Sequence, residues 1–64
     1  MKLLRVEADG VLVELGDLPK ERAMKVARYL SESKTPSRYM VETPEGLHEY
    51  RDGEYRGLIQ LQEL

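Results

Sequence analysis

An Asp-Gly pair between two short apolar runs, near the start of the chain, constrains the fold more than any other feature. Asp9-Gly10 separates residues 3–8 from residues 11–15. Asp-Gly in this setting favours a two-residue type I′ turn, because both central positions need a positive φ. This turn predicts a hairpin in residues 2–15 and sets its register.

The register of this hairpin can be checked against the side chains that it brings together. A two-residue loop pairs Val6 with Val13 and Leu4 with Leu15 on one face, because side chains alternate along a strand. It places Leu12 on the other face. One face is then apolar throughout, and we expect it to pack against the core.

A helix is predicted over residues 18–32. Pro19 suits the first turn of a helix, where its missing N–H is not needed. Pro36 lies in the polar loop after the helix and makes continuation of the helix unfavourable. The apolar residues that recur at helical spacing form one narrow stripe, made of Ala23, Val26, Ala27 and Leu30. We expect this stripe to lie close against the apolar face of the hairpin.

The remaining part of the chain, residues 38–62, is predicted to be a three-stranded meander. Pro44 and Gly46 mark a type I turn between its first two strands. Asp52-Gly53 repeats the hairpin signal of the first turn and joins the last two strands.

Pairing within the meander is only partly determined by the pattern. The second Asp-Gly turn pairs Tyr50 with Tyr55 and Leu47 with Leu58, unless a bulge at Gly57 shifts the end of the strand. In residues 38–43 two alternatives remain open. Side chains alternate along the strand, so either Tyr39 and Val41 or Met40 points inward.

These elements follow one another in the order ββαβββ. The 64 residues are enough for a single small domain and no second one. The sequence therefore predicts an α+β fold of two layers, with one helix packed on a five-stranded antiparallel sheet.

One helix cannot cover both faces of a five-stranded sheet, so an apolar surface is expected on the open face. Four leucines are assigned to that face by the predicted register, namely Leu3, Leu12, Leu47 and Leu58. A contiguous apolar patch usually marks an interface. We expect these leucines to bind a protein partner or a second copy of the chain in a homodimer.

The residue types present exclude several kinds of chemistry. The chain has no cysteine and one histidine, so it offers no disulfide, no thiolate zinc site and no multi-histidine metal site. The glycines are isolated and form no phosphate-binding loop. We expect no metal, no cofactor and no catalytic residue, and the chain is predicted not to be an enzyme.

His48 is the one side chain suited to general-base chemistry at neutral pH. Glu42, Glu45 and Glu49 are near enough in sequence for one of them to orient it. No nucleophile accompanies His48, so we interpret it as a structural residue of the sheet.

Charge is distributed unevenly along the chain, although its formal net charge is only −2. Residues 17–38 hold six cations against three acids. The side chains assigned to contact phosphate or an acidic partner are Arg22, Lys25, Arg28, Lys34 and Arg38. The alternative is a solvated helix face, on which Glu21 would pair with Lys25 and Glu32 with Arg28.

The second half of the chain is acidic and admits a different hypothesis. Its carboxylates near the predicted hairpin tips are Glu42, Glu45, Glu49, Asp52 and Glu54. Such a set would imitate the phosphates of a nucleic acid and occupy the basic channel of a nucleic-acid enzyme. The alternative is that these acids serve solubility alone.

Taken together, the sequence favours a small non-catalytic interaction module, a regulator or inhibitor that binds a macromolecular partner. The second hypothesis is a nucleic-acid-binding domain that uses the basic helix and the loop after it. No apolar run is long enough for a transmembrane helix, so a cytoplasmic location without membrane contact is expected. No motif resembles a known family closely enough to name one.

Overall fold

A computed structural model describes residues 1–60 of the chain. Its elements, in chain order, are β1 (Lys2–Val6), β2 (Leu12–Asp17), α1 (Lys20–Ser33), β3 (Arg38–Thr43), β4 (Gly46–Arg51) and β5 (Glu54–Ile59). The predicted ββαβββ order and α+β class are confirmed. The predicted end of the meander, at residues 61 and 62, lies outside the described residues.

All five strands form one antiparallel sheet in the order β2-β1-β3-β4-β5. The internal strands are therefore β1, β3 and β4, and β2 and β5 are the edges. The helix lies on one face of the sheet and packs mainly against β3 and β4. One edge strand, β2, lies away from the main contacts of the helix.

The main core lies between the helix and the sheet. Its buried members are Leu3, Ala23, Ala27, Tyr39, Val41 and Tyr50. Ala23 and Ala27 are fully buried, which confirms that the small residues of the stripe let the helix approach the sheet closely. Of the two alternatives for β3, Tyr39 and Val41 are the residues that face the helix.

A second apolar cluster lies on the face opposite the helix. Leu4, Val6 and Met40 are buried there, and Leu47 packs against them. Leu4 and Val6 were expected to face the helix, and this prediction is wrong. The central strands bury side chains on both faces, so alternation within β1 carries no information about which face meets the helix.

The first hairpin has a three-residue loop instead of the predicted two-residue loop. The Glu7 N–H donates to the Val11 carbonyl at 2.9 Å, and the Gly10 N–H donates to the Glu7 carbonyl at 2.9 Å. Gly10 has a φ of +88°, as in a type I turn followed by a glycine bulge. The Asp9 carboxylate accepts the Val11 N–H at 3.0 Å and so supports this loop.

The longer loop shifts the register of the hairpin by one residue. Val6 lies opposite Leu12 and Leu4 lies opposite Glu14, so the predicted pairs of Val6 with Val13 and Leu4 with Leu15 are wrong. A bulge farther along the pair leaves Leu15 without a partner in β1.

The second hairpin begins as predicted. Asp52 and Gly53 have φ values of 53° and 82°, as a type I′ turn requires, and Tyr50 lies opposite Tyr55. Beyond that pair a bulge displaces the register, so that Leu47 lies opposite Ile59 rather than Leu58. The bulge was anticipated at Gly57, and it leaves the neighbouring residue 56 unpaired.

Candidate interaction surfaces

Two of the four leucines assigned to the open face lie on the helix side of the sheet. Leu3 is 4% exposed and belongs to the main core. Leu58 pairs with His48, which in turn pairs with the core residue Val41, so Leu58 shares the helix-side face. Neither leucine is available on the open face.

The other two leucines lie on the open face but are far from being neighbours. Leu12 pairs with Val6 in β1, and Leu47 pairs with Ile59 in β5. Strands β1 and β3 separate β2 from β4. The predicted stripe of Leu3, Leu12, Leu47 and Leu58 is therefore wrong, because the longer turn placed Leu3 and Leu12 on opposite faces and the bulge in β5 changed the face of Leu58.

Exposed apolar side chains lie along both edges of the sheet, and the two most exposed ones belong to the β2 edge. Val11, Leu12 and Leu15 are 54%, 47% and 41% exposed there, whereas Tyr55, Ile59 and Leu58 at the β5 edge are 44%, 42% and 37% exposed. No strand pairs with the outer side of β2 within residues 1–60. This edge combines unpaired backbone with apolar side chains, which is the combination that templates strand pairing.

The pairing of the hairpin determines which backbone groups of β2 point outward. The Glu7 N–H donates to the Val11 carbonyl, and the register is unbroken from there to Glu14. Hydrogen-bonded and non-hydrogen-bonded pairs alternate in an antiparallel ladder. The N–H and C=O of Val13, two residues after Val11, therefore point toward β1. Leu12 and Glu14 therefore direct their N–H and C=O groups to the free edge.

Three of the five assigned cations share one exposed surface of the helix. Arg22, Lys25 and Arg28 are exposed, and none of them forms an ion pair within 4.0 Å among residues 1–60. The expected intrahelical pairs with Glu21 and Glu32 are not formed. Their charge is therefore not neutralised by the described part of the chain.

The other two assigned cations do not join that surface. Lys34 follows the helix, and its N–H donates to the Leu30 carbonyl at 2.8 Å. Arg38 occupies the face of the sheet that also holds Met40, two residues along β3, and it forms an ion pair with Glu49. The predicted set of five does not converge on one site.

Glu49 is held between two arginines on the open face. Arg38 Nε donates to Glu49 Oε2, and Arg51 donates to the same oxygen at 3.0 Å. Partial burial raises the pKa of the Glu49 carboxyl, but the two arginines outweigh it and hold this pKa below its ordinary value. Arg38 is thus engaged in holding the sheet surface together.

A groove of about 420 Å³ lies between the helix and the sheet. It is lined by Met24, Lys25, Arg28, Tyr29, Glu32 and Tyr50. The guanidinium carbon of Arg28 stands 5.7 Å from the centroid of the Tyr50 ring, within the range of a cation–π contact. Burial raises the pKa of the Tyr50 hydroxyl, and the nearby positive charge of Arg28 opposes this increase.

Tyr29 lines the groove but lies outside the buried stripe of the helix. It is 66% exposed at the groove. Helical spacing carries the signal that was missed, because Tyr29 lies outside the stripe defined by Ala23 and Ala27. A residue outside that stripe points away from the sheet and is exposed.

His48 is buried on the helix-side face, with 6% of its surface exposed. Its Nδ1 lies 3.0 Å from the Tyr55 hydroxyl, and its Nε2 lies 3.5 Å from Oε1 of Glu45. Among the described residues Nε2 has no hydrogen-bond partner. The other two carboxylates considered for it, Glu42 and Glu49, pair with residues of the opposite face.

Glu45 also connects this cluster to the helix. The Lys20 ammonium donates to Oε1 of Glu45 at 3.1 Å. This contact, more than the neighbouring His48, holds the pKa of the Glu45 carboxyl below its ordinary value. The carboxylate nearest His48 is therefore already bound to a lysine.

The acidic side chains of the second half do not form one continuous surface. Glu49 is paired with arginines and Glu45 with Lys20. Arg56 lies 3.2 Å from Glu54 and 3.9 Å from Asp52. Four of the five acids considered for nucleic-acid mimicry thus have a cationic neighbour, which leaves little charge for that role.

Within residues 1–60 no group of three or more potential ligand side chains is placed to hold a metal ion. The described residues also contain no helix with the length and apolar character needed to cross a membrane. Comparison with protein-family models, with curated proteins and with solved structures gave no match for this chain. The function is therefore argued from the geometry of these surfaces.

Proposed function

We propose that the protein is a non-catalytic interaction module, a regulator or inhibitor that binds an extended segment of a partner protein along β2. The observation that supports this most directly is the free β2 edge with its exposed Val11, Leu12 and Leu15. An extended peptide can add to such an edge as a further strand, with backbone hydrogen bonds supplying affinity and side chains supplying specificity.

The other edge of the sheet is less suited to this role. Strand β5 contains a bulge at Arg56, next to Gly57 with a φ of +127°. Arg56 and Glu54 form an ion pair on this strand. Bulges and charged side chains are common devices that keep an edge from pairing. Strand β2 has a bulge of its own at Leu15, but the segment before it, from Val11 to Glu14, keeps regular pairing with β1.

Charge indicates the chemistry of the partner segment. Residues 9–17 contain Asp9, Glu14 and Asp17 and no lysine or arginine. Asp17 binds the terminal ammonium of Met1 at 2.7 Å, which lowers the pKa of its carboxyl. Asp9 and Glu14 favour a partner with apolar and basic residues. Two copies pairing through β2, a different contact from the homodimer predicted through the leucines, would bring like charges together.

We propose no catalytic role, because the surroundings of His48 do not suit it to act as a general base. This side chain is buried, its Nδ1 is engaged by Tyr55, and its nearest carboxylate is bound to Lys20. The nucleic-acid hypothesis has less support, because Arg38 lies on the far face of the sheet in an ion pair with Glu49. A cytoplasmic location is part of the proposal and is tested by imaging a tagged chain in its native cells.

The test compares two substitutions at one position. Glu14→Pro removes an N–H that points to the free edge, whereas Glu14→Ala removes only the side chain. Immobilised protein is used to capture partners from native lysate, and captured chains are identified by mass spectrometry. We expect Glu14→Ala to capture the same partner as the wild type, though more weakly because one favourable charge is lost. Glu14→Pro should lose the partner altogether while keeping its circular dichroism spectrum.

A second variant covers the case in which the proline disturbs folding. Leu12→Lys places a charge at the exposed edge and leaves the backbone intact, so we expect it to lose the partner as well. Capture that is unchanged in both Leu12→Lys and Glu14→Pro would contradict the proposal. Sedimentation of the wild type alone distinguishes a hetero-partner from a homodimer, which would run at twice the monomer mass.

A further inference from the structure

The groove between the helix and β4 lies apart from the β2 edge. Its helix wall presents Lys25 and Arg28, two exposed cations without an ion pair in residues 1–60. Glu32 lines the same groove but lies beyond 4.0 Å from both charges. The site therefore has uncompensated positive charge in a concave surface.

One of the two cations is already oriented. The Arg28 guanidinium lies over the Tyr50 ring at 5.7 Å. An arginine stacked on an aromatic face keeps the N–H groups at its edge free, and these can hold a carboxylate through two parallel hydrogen bonds. Less side-chain entropy is lost when such an arginine binds its ligand.

The rest of the groove is apolar or aromatic. Met24 and Tyr50 belong to the layer where the helix meets the core, and Tyr29 is 66% exposed at the rim. A volume of about 420 Å³ accommodates side chains of a peptide. The lining thus suits a ligand that has both an apolar side chain and a negative charge.

Single-stranded nucleic acid fits these observations less well. Binding of that kind uses several exposed aromatic rings on which successive bases stack. Tyr50 is 5% exposed and has Arg28 over its ring. Tyr55 packs against Tyr50 with ring centroids 5.3 Å apart and against His48 at 5.9 Å. Tyr29 and the 44% exposed Tyr55 would remain as platforms, and Tyr55 is already engaged by two neighbouring rings.

We propose that this groove binds an acidic segment of a protein, with a carboxylate held by Arg28 and Lys25 and an apolar side chain against Met24 and the exposed ring of Tyr29. This surface holds Lys25 and Arg28 of the predicted cationic set, without Arg22, Lys34 and Arg38. It differs from the β2 edge both in position and in the charge of the segment that it selects.

The experiment measures binding of a fluorescein-labelled peptide of alternating glutamate and leucine by fluorescence anisotropy. A peptide of alternating glutamine and leucine is the uncharged control, and a fifteen-nucleotide oligothymidylate is the nucleic-acid probe. We expect the acidic peptide to bind and Arg28→Gln to weaken it roughly tenfold, as loss of a charged hydrogen-bonding pair predicts. We expect Lys25→Gln to weaken binding less.

The matched control is Lys2→Gln, which removes one positive charge from β1. Lys2 has only a long 3.8 Å contact to Glu14, and its side chain is half exposed. We expect it to leave the affinity within about twofold, since exposed charges at a distance are screened at physiological salt. Equal loss in Lys2→Gln and Arg28→Gln would overturn the proposal, as would equal binding of the glutamine peptide.

Two further outcomes complete the test. Tighter binding of the oligothymidylate, lost in Arg28→Gln, would overturn the proposal in favour of nucleic acid. Unchanged peptide binding by Glu14→Pro is expected, because that variant alters only the β2 edge. The two proposals therefore succeed or fail separately.

Discussion

The hydroxyl of Tyr55 lies 3.0 Å from Nδ1 of His48 and connects β5 to the neighbouring strand β4. His48 is buried, and Tyr55 supplies the one hydrogen bond that its ring makes within residues 1–60. A buried polar atom that loses its partner destabilises the folded state by more than the hydrogen bond itself contributes. This pair therefore helps to hold the last strand on the sheet.

The Tyr55→Phe substitution tests this role. We expect the free energy of unfolding to fall by about 1 kcal/mol, because Nδ1 of His48 loses its partner while the ring is kept. Urea denaturation followed by circular dichroism measures the change. Tyr29→Phe removes a hydroxyl from an exposed ring and should change the same quantity by less than about 0.5 kcal/mol. Equal effects of the two substitutions would contradict the assignment.

The two Asp-Gly turns explain how much of the fold could be predicted. Asp52-Gly53 forms the expected type I′ turn, whereas Asp9-Gly10 recruits Ala8 into a three-residue loop. Both loops place glycine at a position that requires a positive φ, so the Asp-Gly dipeptide alone does not determine which loop forms. The order of the elements is the same with either loop. The length of the loop decides which face of the sheet each following side chain occupies.

The candidate sites depended on that choice. Leu12 and Leu3 were assigned to one face from the register, and a shift of one residue placed them on opposite faces. The basic helix surface was predictable for Arg22, Lys25 and Arg28, because helical spacing does not depend on strand pairing. Arg38 lies on a strand, and its pairing with Glu49 depends on a register that the pattern left open.

A pair of identical substitutions tests where the core lies. Val41 is fully buried in the central strand β3, and Val41→Ala should lower the free energy of unfolding by about 2 kcal/mol. Val13 lies in edge strand β2 and is only half-buried, so Val13→Ala should lower it by less than about 1 kcal/mol. Urea denaturation of both variants measures the two losses of free energy. A larger loss in Val13→Ala than in Val41→Ala would place the core beside β2.

Gly46 should be the least replaceable glycine of the chain. Its φ is +138°, and a Cβ at this position would collide with the Ile59 carbonyl oxygen. Gly10 also has a positive φ of +88°, but a Cβ there meets open space. We expect Gly46→Ala to lower the melting temperature clearly more than Gly10→Ala, since only the first adds a collision to the backbone strain. Similar melting temperatures would contradict this.

Ser31 joins the end of the helix to the β4–β5 turn. It is 1% exposed, its hydroxyl donates to the Arg28 carbonyl at 2.8 Å, and it accepts the Gly53 N–H at 2.9 Å. Ser31→Ala leaves that N–H without its partner, and we expect unfolding to become easier by about 1–3 kcal/mol. Hydrogen exchange at the Gly53 amide should accelerate. Ser33→Ala is the control, because Ser33 is exposed and bonds only the Tyr29 carbonyl.

Acid should destabilise the fold in part through Glu49. Arg38 and Arg51 outweigh partial burial and hold the Glu49 pKa below its ordinary value of 4.5. The stabilisation from a lowered carboxyl pKa is fully present above the ordinary pKa and is lost as the pH falls through the lower, folded-state value. The ion pairs of Glu49 should therefore weaken only in acid.

The Glu49→Gln substitution separates this contribution from those of the other carboxylates. At neutral pH the variant should unfold at a lower urea concentration than the wild type, because Arg38 and Arg51 lose their shared carboxylate. The difference should shrink progressively as the pH falls below 4.5, since the unfolded chain then takes up a proton before the folded wild-type carboxyl does. Glu42→Gln is the control on the neighbouring strand, because Glu42 forms no ion pair within 4.0 Å among residues 1–60, and it should lower the stability at neutral pH by less than Glu49→Gln does. A difference for Glu49→Gln that does not change with pH would mean that its two arginines do not stabilise the charged form.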